Sequence, residues 1–290
     1  MKTPFRWIGS KSVMMPHLVD IFPPHRMFVD VFGGSGTVVL HKPPSPLTVY
    51  NDIDEGLTNF FEVIRKPETF EKFYEQAQWF VNSRSLWDNF RKHWNDPDDP
   101  VEKALRWWYV ACLSFGGRWG GGWAQININT AKNGRGSADL DMFRARLREV
   151  HRIFSRVLVE HMDFRDLIPR FDSPETLFYC DPPYPKESRA SEGNVYEHDA
   201  KTDDLHPDLI ATLLKVEGMA LLSSYETDTY QPLIDAGWEM VVKKTRRAQA
   251  TGRVGKLKGS GAFQDGSDIR IEVVYANPAA IEKINAGRLL

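Results

Sequence analysis

A short apolar run, Met27-Phe-Val-Asp-Val-Phe32, stops at Gly33-Gly-Ser-Gly36 and resumes as Thr37-Val-Val-Leu40. A buried strand, a tight glycine turn and a helix start in that order open a doubly wound α/β unit. Leu47-Thr-Val-Tyr50 is a second strand, ending at Asn51-Asp52, and Pro43, Pro44 and Pro46 keep the link before it from being helical for long. Strand signals return at Thr176-Leu-Phe-Tyr-Cys180, at 219–224 and at 271–275, with helices expected over 205–214 and 230–236. The pattern implies a single α/β sheet.

The middle of the chain has a different character. Residues from about 55 to 172 offer no convincing parallel-strand run but several helical ones. Residues 102–115 are strongly apolar and free of Gly and Pro. Over 140–159, Phe143, Leu147, Val150, Phe154 and Val157 step by four and three along one face, while Arg144, Arg148, Arg152 and Arg156 line another. Asp139 is placed to cap that helix. Between the two helices lies Gly116-Gly-Arg-Trp-Gly-Gly-Gly-Trp123, then a polar tract, so an exposed hairpin or loop is expected near 116–136. The expected organisation is a domain formed by 1–54 and 173–290, interrupted by a mostly helical insertion, 55–172.

With 290 residues, 42% hydrophobic and 26% charged, the chain has the composition of an ordinary globular protein. No apolar run reaches the roughly 18–20 residues needed to span a bilayer, and no signal-peptide core opens the chain. Cys112 and Cys180 are too few for a disulfide framework or a thiolate zinc site, so no metal is expected. A cytoplasmic protein is expected. A net charge of −2 argues against a wholly basic nucleic-acid coat but leaves room for a local basic groove. Between 243 and 258, Lys243, Lys244, Arg246, Arg247, Arg253, Lys256 and Lys258 occur with no acidic residue. That stretch reads equally as a solvated face or as a phosphate contact.

Asp181-Pro182-Pro183-Tyr184, directly after the strand at 176–180, carries the strongest chemical signal. Open α/β sheets bind ligands at strand C-terminal ends. Two prolines stiffen the backbone and remove two N–H donors, leaving carbonyl oxygens free to accept. An acidic side chain beside a rigid carbonyl matches an NH₂ group with two hydrogens, and the Tyr184 ring offers a stacking face for a planar base. The glycine run is weaker alone, because Val39 stands where a third dinucleotide glycine counted from Gly34 would be. Asp52, at the end of the second strand, is placed to bind ribose hydroxyls. Lys11 reads equally well as a solvated cation.

Taken together, Phe5-Arg-Trp-Ile-Gly-Ser-Lys11, Val29-Asp-Val-Phe-Gly-Gly-Ser-Gly36, Asn51-Asp52 and Tyr179-Cys-Asp-Pro-Pro-Tyr-Pro185 resemble the Dam-type (D12 class) DNA adenine-N6 methyltransferases. The order of the motifs matches too, with an insertion of about a hundred residues before the tetrapeptide. Ser10 departs from the family, where many members carry a second glycine. The resemblance implies a Rossmann-like S-adenosylmethionine-dependent methyltransferase sheet with a helical DNA-recognition insertion. It implies that Trp7 and Lys11 line the S-adenosylmethionine pocket, with Phe32, Gly34 and Gly36 as its floor and Asp52 on the ribose. Asp163 and Phe164 would touch the cofactor adenine, and Asp181 would contact both cofactor and target base. No metal is implied, and the product is S-adenosylhomocysteine.

The resemblance makes double-stranded DNA the partner, without a membrane. The protein would be prokaryotic or phage-encoded, a monomer in solution with a dimer on DNA as the alternative. Arg118, Gln125, Asn127, Asn129, Lys132, Asn133 and Arg135 are residue types that meet base edges and phosphates. The arginine face of 140–159 and the 243–258 stretch, including Arg246 and Arg247, are expected phosphate clamps. Trp119 and Trp123 read either as wedges into the base stack or as packing for the insertion. An adenine N6 inside a duplex must be flipped out before transfer. RNA adenine, cytosine N4 and protein glutamine present the same planar NH₂ and stay open as substrates, as does an inactive DNA-binding relative. A nicotinamide oxidoreductase fits least. A restriction partner stays open as well.

Overall fold

A computed structural model describes residues 2–124, 140–185, 205–247 and 269–288. It is a mixed α/β structure with a seven-stranded sheet, and its contacts divide into two compact units. The first comprises Met1–Asp20 and His25–Leu167. Its strands are β1 (Met27–Asp30), β2 (Leu47–Asn51) and β3 (Val157–Glu160), all parallel, in the order β3-β2-β1. Val29 lies opposite Val49, and Tyr50 opposite Val159.

The helices of this unit are α1 (Met15–Val19), α2 (Thr37–His41), α3 (Glu55–Arg65), α4 (Pro67–Ala77), α5 (Arg84–His93), α6 (Pro100–Leu113) and α7 (Leu140–Phe154). Asp54 caps α3 by accepting from the Leu57 amide at 2.9 Å. Leu57, Phe60, Phe61 and Ile64 of α3 are buried, the spacing that presses one helical face into a core. Asp99 caps α6, with Pro100 at its first position, where the missing N–H is not needed. From Trp107 to Leu113 every α6 side chain is buried, so this helix is the unit's axis and not a surface element. Phe61 of α3 and Phe154 of α7 stack at 4.2 Å.

Three features differ from the sequence reading. The periodic stripe of α7 holds through Phe154, but the chain then turns and Val157 begins β3, which pairs with Thr48 through Asn51. Val157 sits three residues after Phe154 and so satisfies helical spacing as well. The Val-Leu-Val triplet there prefers the pleated, half-buried surface of a sheet. Second, the arginines of α7 are not a uniform cationic face. Arg144 donates to the carbonyls of Ala77 (2.7 Å) and Phe80, just past the end of α4, and to Asp141, while Arg148 lies over the Tyr74 ring at 4.2 Å. Third, 243–247, which carries no strand signal in the sequence, belongs to a strand. Trp119 and Trp123 take the packing role: the Trp119 indole donates to the Trp107 carbonyl at 3.2 Å, and Trp123 meets Trp87 edge-on.

The second unit comprises Ile21–Pro24 and Ile168–Leu290. Its strands are β4 (Thr176–Cys180), β5 (Met219–Tyr225), β6 (Glu239–Arg247) and β7 (Ile269–Ala276), in the order β4-β5-β7-β6. β4 and β5 run parallel, and β7 is antiparallel to both β5 and β6. Every residue of β4 is buried. α8 (Phe164–Phe171) links the two units in sequence, and α9 (Leu205–Leu213), α10 (Gln231–Asp235) and α11 (Pro278–Arg288) complete the helices named here. No helix among the described residues is long and apolar enough to cross a membrane.

Candidate active site

The glycine turn is built by the residues beneath it. Buried Tyr50, at the end of β2, donates its hydroxyl to the Gly34 carbonyl at 2.7 Å and lays its ring against Gly33. A β-carbon on Gly33 would fall 2.2 Å from that ring, and one on Gly36 would fall 2.9 Å from Phe154. Packing therefore accounts for glycine at 33 and 36. At Gly34 the φ is +50°, which disfavours a side chain, and a β-carbon would fall 3.3 Å from the indole nitrogen of Trp7, a close approach that glycine permits. The Asp52 carboxylate accepts from the Gly34 amide at 2.8 Å and, through its other oxygen, from the Asp54 amide at 3.0 Å.

The structure therefore brings Trp7, Gly34 and Asp52 together. Lys11 is 5% exposed, which removes the solvated-cation reading. The half-buried Phe32 ring lies 5.7 Å from that of Phe164. Asp163 receives the amide of Arg165 at 2.9 Å and its guanidinium at 2.8 Å, at the start of α8. Asn51, 2% exposed, joins these parts by donating to the Val31 and Met162 carbonyls and accepting from the Met162 amide. Burial, and then the carboxylates Asp52, Asp30 and Asp54, push the Tyr50 phenol well above its ordinary pKa, so it remains a donor.

In the second unit, Asp181-Pro182-Pro183-Tyr184 follows β4 directly, as the tetrapeptide at a strand end requires. Pro182 is buried, while Asp181 and Tyr184 are half-buried. The Tyr184 hydroxyl donates to Glu272 at 3.1 Å and lies 3.4 Å from the Ser223 hydroxyl. Its ring meets that of Tyr225 edge-on at 4.5 Å. Burial, then the charges of Asp181 and Glu272, hold the Tyr184 phenol well above its ordinary pKa, so it does not ionise near neutrality.

Glu272 and Tyr50 carry no role in the sequence reading, and Asn51 enters it only within the Asn51-Asp52 motif. Glu272 had a signal, an acidic residue inside the apolar run of β7 that is 1% exposed in the fold. Arg118 is exposed in the tight turn closed by the Ser114–Trp123 bridge. Asn127, Asn129, Lys132 and Arg135 lie outside the described residues, as do Gln125, Asn133 and Asp139. The backbone of Arg246 and Arg247 belongs to β6.

Comparison with known proteins is consistent with these motifs. Residues 7–248 match the model of the family described as D12 class N6 adenine-specific DNA methyltransferase. Two relatives, both named DNA adenine methylase and from the O395 and N16961 strains of Vibrio cholerae, are each 24% identical over 264 residues, covering 87% of this chain and 91% of theirs. A solved structure described as SMU.472, assigned as a methyltransferase and complexed with SAH, is 14% identical. It covers 93% of this chain and 52% of its own with a TM-score of 0.34, a likeness too weak to bear on fold or function. The family match spans most of the chain, which therefore belongs to the D12 class of N6 adenine-specific DNA methyltransferases.

Proposed function

We propose that this chain transfers the methyl group of S-adenosylmethionine to N6 of an adenine flipped out of duplex DNA, with Asp181, Pro182 and Tyr184 as its catalytic residues. The observation that carries the reading is Asp181-Pro-Pro-Tyr184 emerging from the fully buried strand β4 in a member of this family. S-adenosylmethionine, when bound, supplies a sulfonium methyl that is already activated. The residues around the glycine turn suit it. Gly34 brings bare backbone against Trp7, the Asp52 carboxylate stands beside the Gly34 amide at the end of β2, and Phe32 and Phe164 offer flat apolar faces. Lys11, Gly36 and Asp163 complete the proposed cofactor site.

Adenine N6 is a poor nucleophile because its lone pair is delocalised into the ring. The Asp181 carboxylate and the Pro182 carbonyl accept hydrogen bonds from its two N–H groups, which favours a pyramidal nitrogen and stabilises the positive charge that develops on it; the methylated amine then loses one proton to solvent. The two prolines hold that carbonyl so that little reorganisation accompanies the step. Tyr184 stacks on the extruded base, a contact worth roughly 1–3 kcal/mol. Recognition of DNA falls within residues 55–172, with Arg118, Asn127, Asn129, Lys132 and Arg135 as contacts, and Arg246 and Arg247 supply further phosphate contacts. In this reading the protein is a monomer in solution and works in the cytoplasm, where its DNA is.

Glu272 sets the Tyr184 ring by accepting its hydroxyl. Glu272→Leu should raise the KM for duplex DNA about tenfold with a smaller change in kcat, whereas Glu272→Gln, which keeps an acceptor oxygen, should stay within about threefold of the parent. Steady-state kinetics on one duplex checks this, and an unaltered KM in the leucine variant would remove the role. The function itself is tested by methyl transfer from labelled S-adenosylmethionine to adenine-containing duplex DNA and to RNA of the same sequence. Labelled duplex alone supports the proposal. Labelled RNA alone, or cofactor binding that calorimetry fails to detect, would overturn it.

A further inference from the structure

A cavity of about 300 Å³ in the first unit has Arg6, Trp7, Gly116, Gly117, Phe143 and Arg146 among its lining residues. None of its lining residues belongs to the catalytic tetrapeptide, although Trp7 also flanks Gly34. Two guanidinium groups converge on one ring there: Arg146 lies 5.1 Å from the Phe143 centroid and Arg6 lies 5.9 Å from it. Arg146 is anchored by donating to the Thr3 carbonyl at 2.7 Å. The Ile8 amide donates to the Gly117 carbonyl at 3.0 Å, which brings the 116–117 backbone against the N-terminal segment. A β-carbon on Gly117 would fall 2.9 Å from the Trp7 backbone, so that close approach requires glycine.

Neither arginine has a carboxylate partner among the described residues. That is costly, because both are partly withdrawn from water and their like charges repel. Burial holds the Arg146 pKa below its ordinary value, and the charge of Arg6 pushes in the same direction. Two unneutralised forks on an aromatic floor, in a chain whose net charge is −2, have the geometry and charge to receive a tetrahedral oxyanion.

We propose that Arg6 and Arg146 together seat one backbone phosphate of the DNA substrate, a sequence-independent anchor in the same unit as the glycine turn. The inference rests on DNA being the substrate. Lysines would supply the charge without the paired N–H groups that match two phosphate oxygens.

The test is duplex binding by the full chain, measured against salt for a methylatable and a non-methylatable duplex. One neutralised phosphate contributes about 0.9 to the slope of log affinity against log salt. Combining Arg6→Gln with Arg146→Gln should therefore shallow the slope by about 0.9 on both duplexes, with single variants less than additive. Arg146→Lys should keep most of the slope while weakening binding. A duplex carrying one neutral methylphosphonate at the seated position should bind the parent as weakly as the double variant binds normal DNA. Inorganic phosphate at fixed ionic strength should not compete selectively with the parent.

An unchanged slope, a loss confined to the methylatable duplex, or a fall of about 1.8 with additive singles would each overturn the shared seat. Selective competition by inorganic phosphate would replace DNA with free phosphate as its ligand. Melting temperature and S-adenosylmethionine affinity equal to the parent's show that the variants fold. A parent that binds cofactor and methylates DNA while the slopes stay fixed sinks this inference alone. A parent that does neither sinks the functional reading beneath it.

Discussion

Asp181→Ala should abolish measurable methyl transfer while leaving duplex binding within about twofold of the parent. In the proposed mechanism the carboxylate is the charged member of the acceptor pair that steadies N6 as it becomes cationic. Removing one well-placed group of this kind costs about 10²–10³ in kcat, and the loss should be at the upper end because this group carries a full charge. Binding should survive because the DNA contacts proposed above lie on other residues. Asp181→Asn keeps the shape and one acceptor oxygen but brings an NH₂ that opposes the amine, so it should be nearly as inactive. Single-turnover kinetics with enzyme in excess over duplex separates the step from binding. Turnover within tenfold of the parent in the alanine variant would show that residue 181 is not the group that holds N6.

Gly33→Ala should weaken both the fold and cofactor binding. The added carbon would sit 2.2 Å from Cε2 of Tyr50, a ring with no exposure. Tyr50 is not the flexible end of a side chain, since its hydroxyl is held by the Gly34 carbonyl at 2.7 Å. Either the ring moves and releases Gly34, or the turn moves and releases Asp52 from the Gly34 amide. Overpacking of this kind costs about 1–3 kcal/mol, which lowers Tm by several degrees in a chain of this size. Affinity for S-adenosylmethionine should fall at least tenfold, because both routes disturb the same carboxylate and amide. Tyr50→Phe is the gentler comparison: it removes the Gly34 bond without the clash, so its loss of affinity should be smaller. An alanine variant with parental Tm and affinity would show that the turn is not held from below.

The contrast between β4 and β6 explains what could be read in advance. Thr176 to Cys180 is apolar on both faces and bounded by turn residues, so its limits were legible to the residue. Among the described residues β6 pairs only with β7, and it is charged along its second half, as edge strands often are; a run of lysine and arginine does not announce itself as a strand. β3 was hidden for another reason, because Val157 fits a three-residue helical step and a sheet equally well.

The site shows the same division. Asp52, the glycine turn and Asp181 through Tyr184 were legible because each is a compact run whose residue types already imply a ligand chemistry. Tyr50, Asn51 and Glu272 were not, since each bonds a group remote in sequence: Tyr50 bonds Gly34, Asn51 bonds Met162, and Glu272 bonds Tyr184. A buried polar side chain takes its meaning from the group it satisfies, and only the fold supplies that group. Arg144 makes the converse point. Its position on the arginine face of α7 suggested DNA, but the carbonyls of Ala77 and Phe80, at and just past the end of α4, already occupy it.

The account rests most directly on which atom receives the methyl group. DNA from cells producing the protein, read by modified-base sequencing and by nucleoside mass spectrometry, should contain N6-methyladenine within one recurring sequence context, and DNA from cells producing the Asp181→Ala variant should contain none. Methyl groups on cytosine N4, or N6-methyladenine at equal levels with the variant, would contradict it.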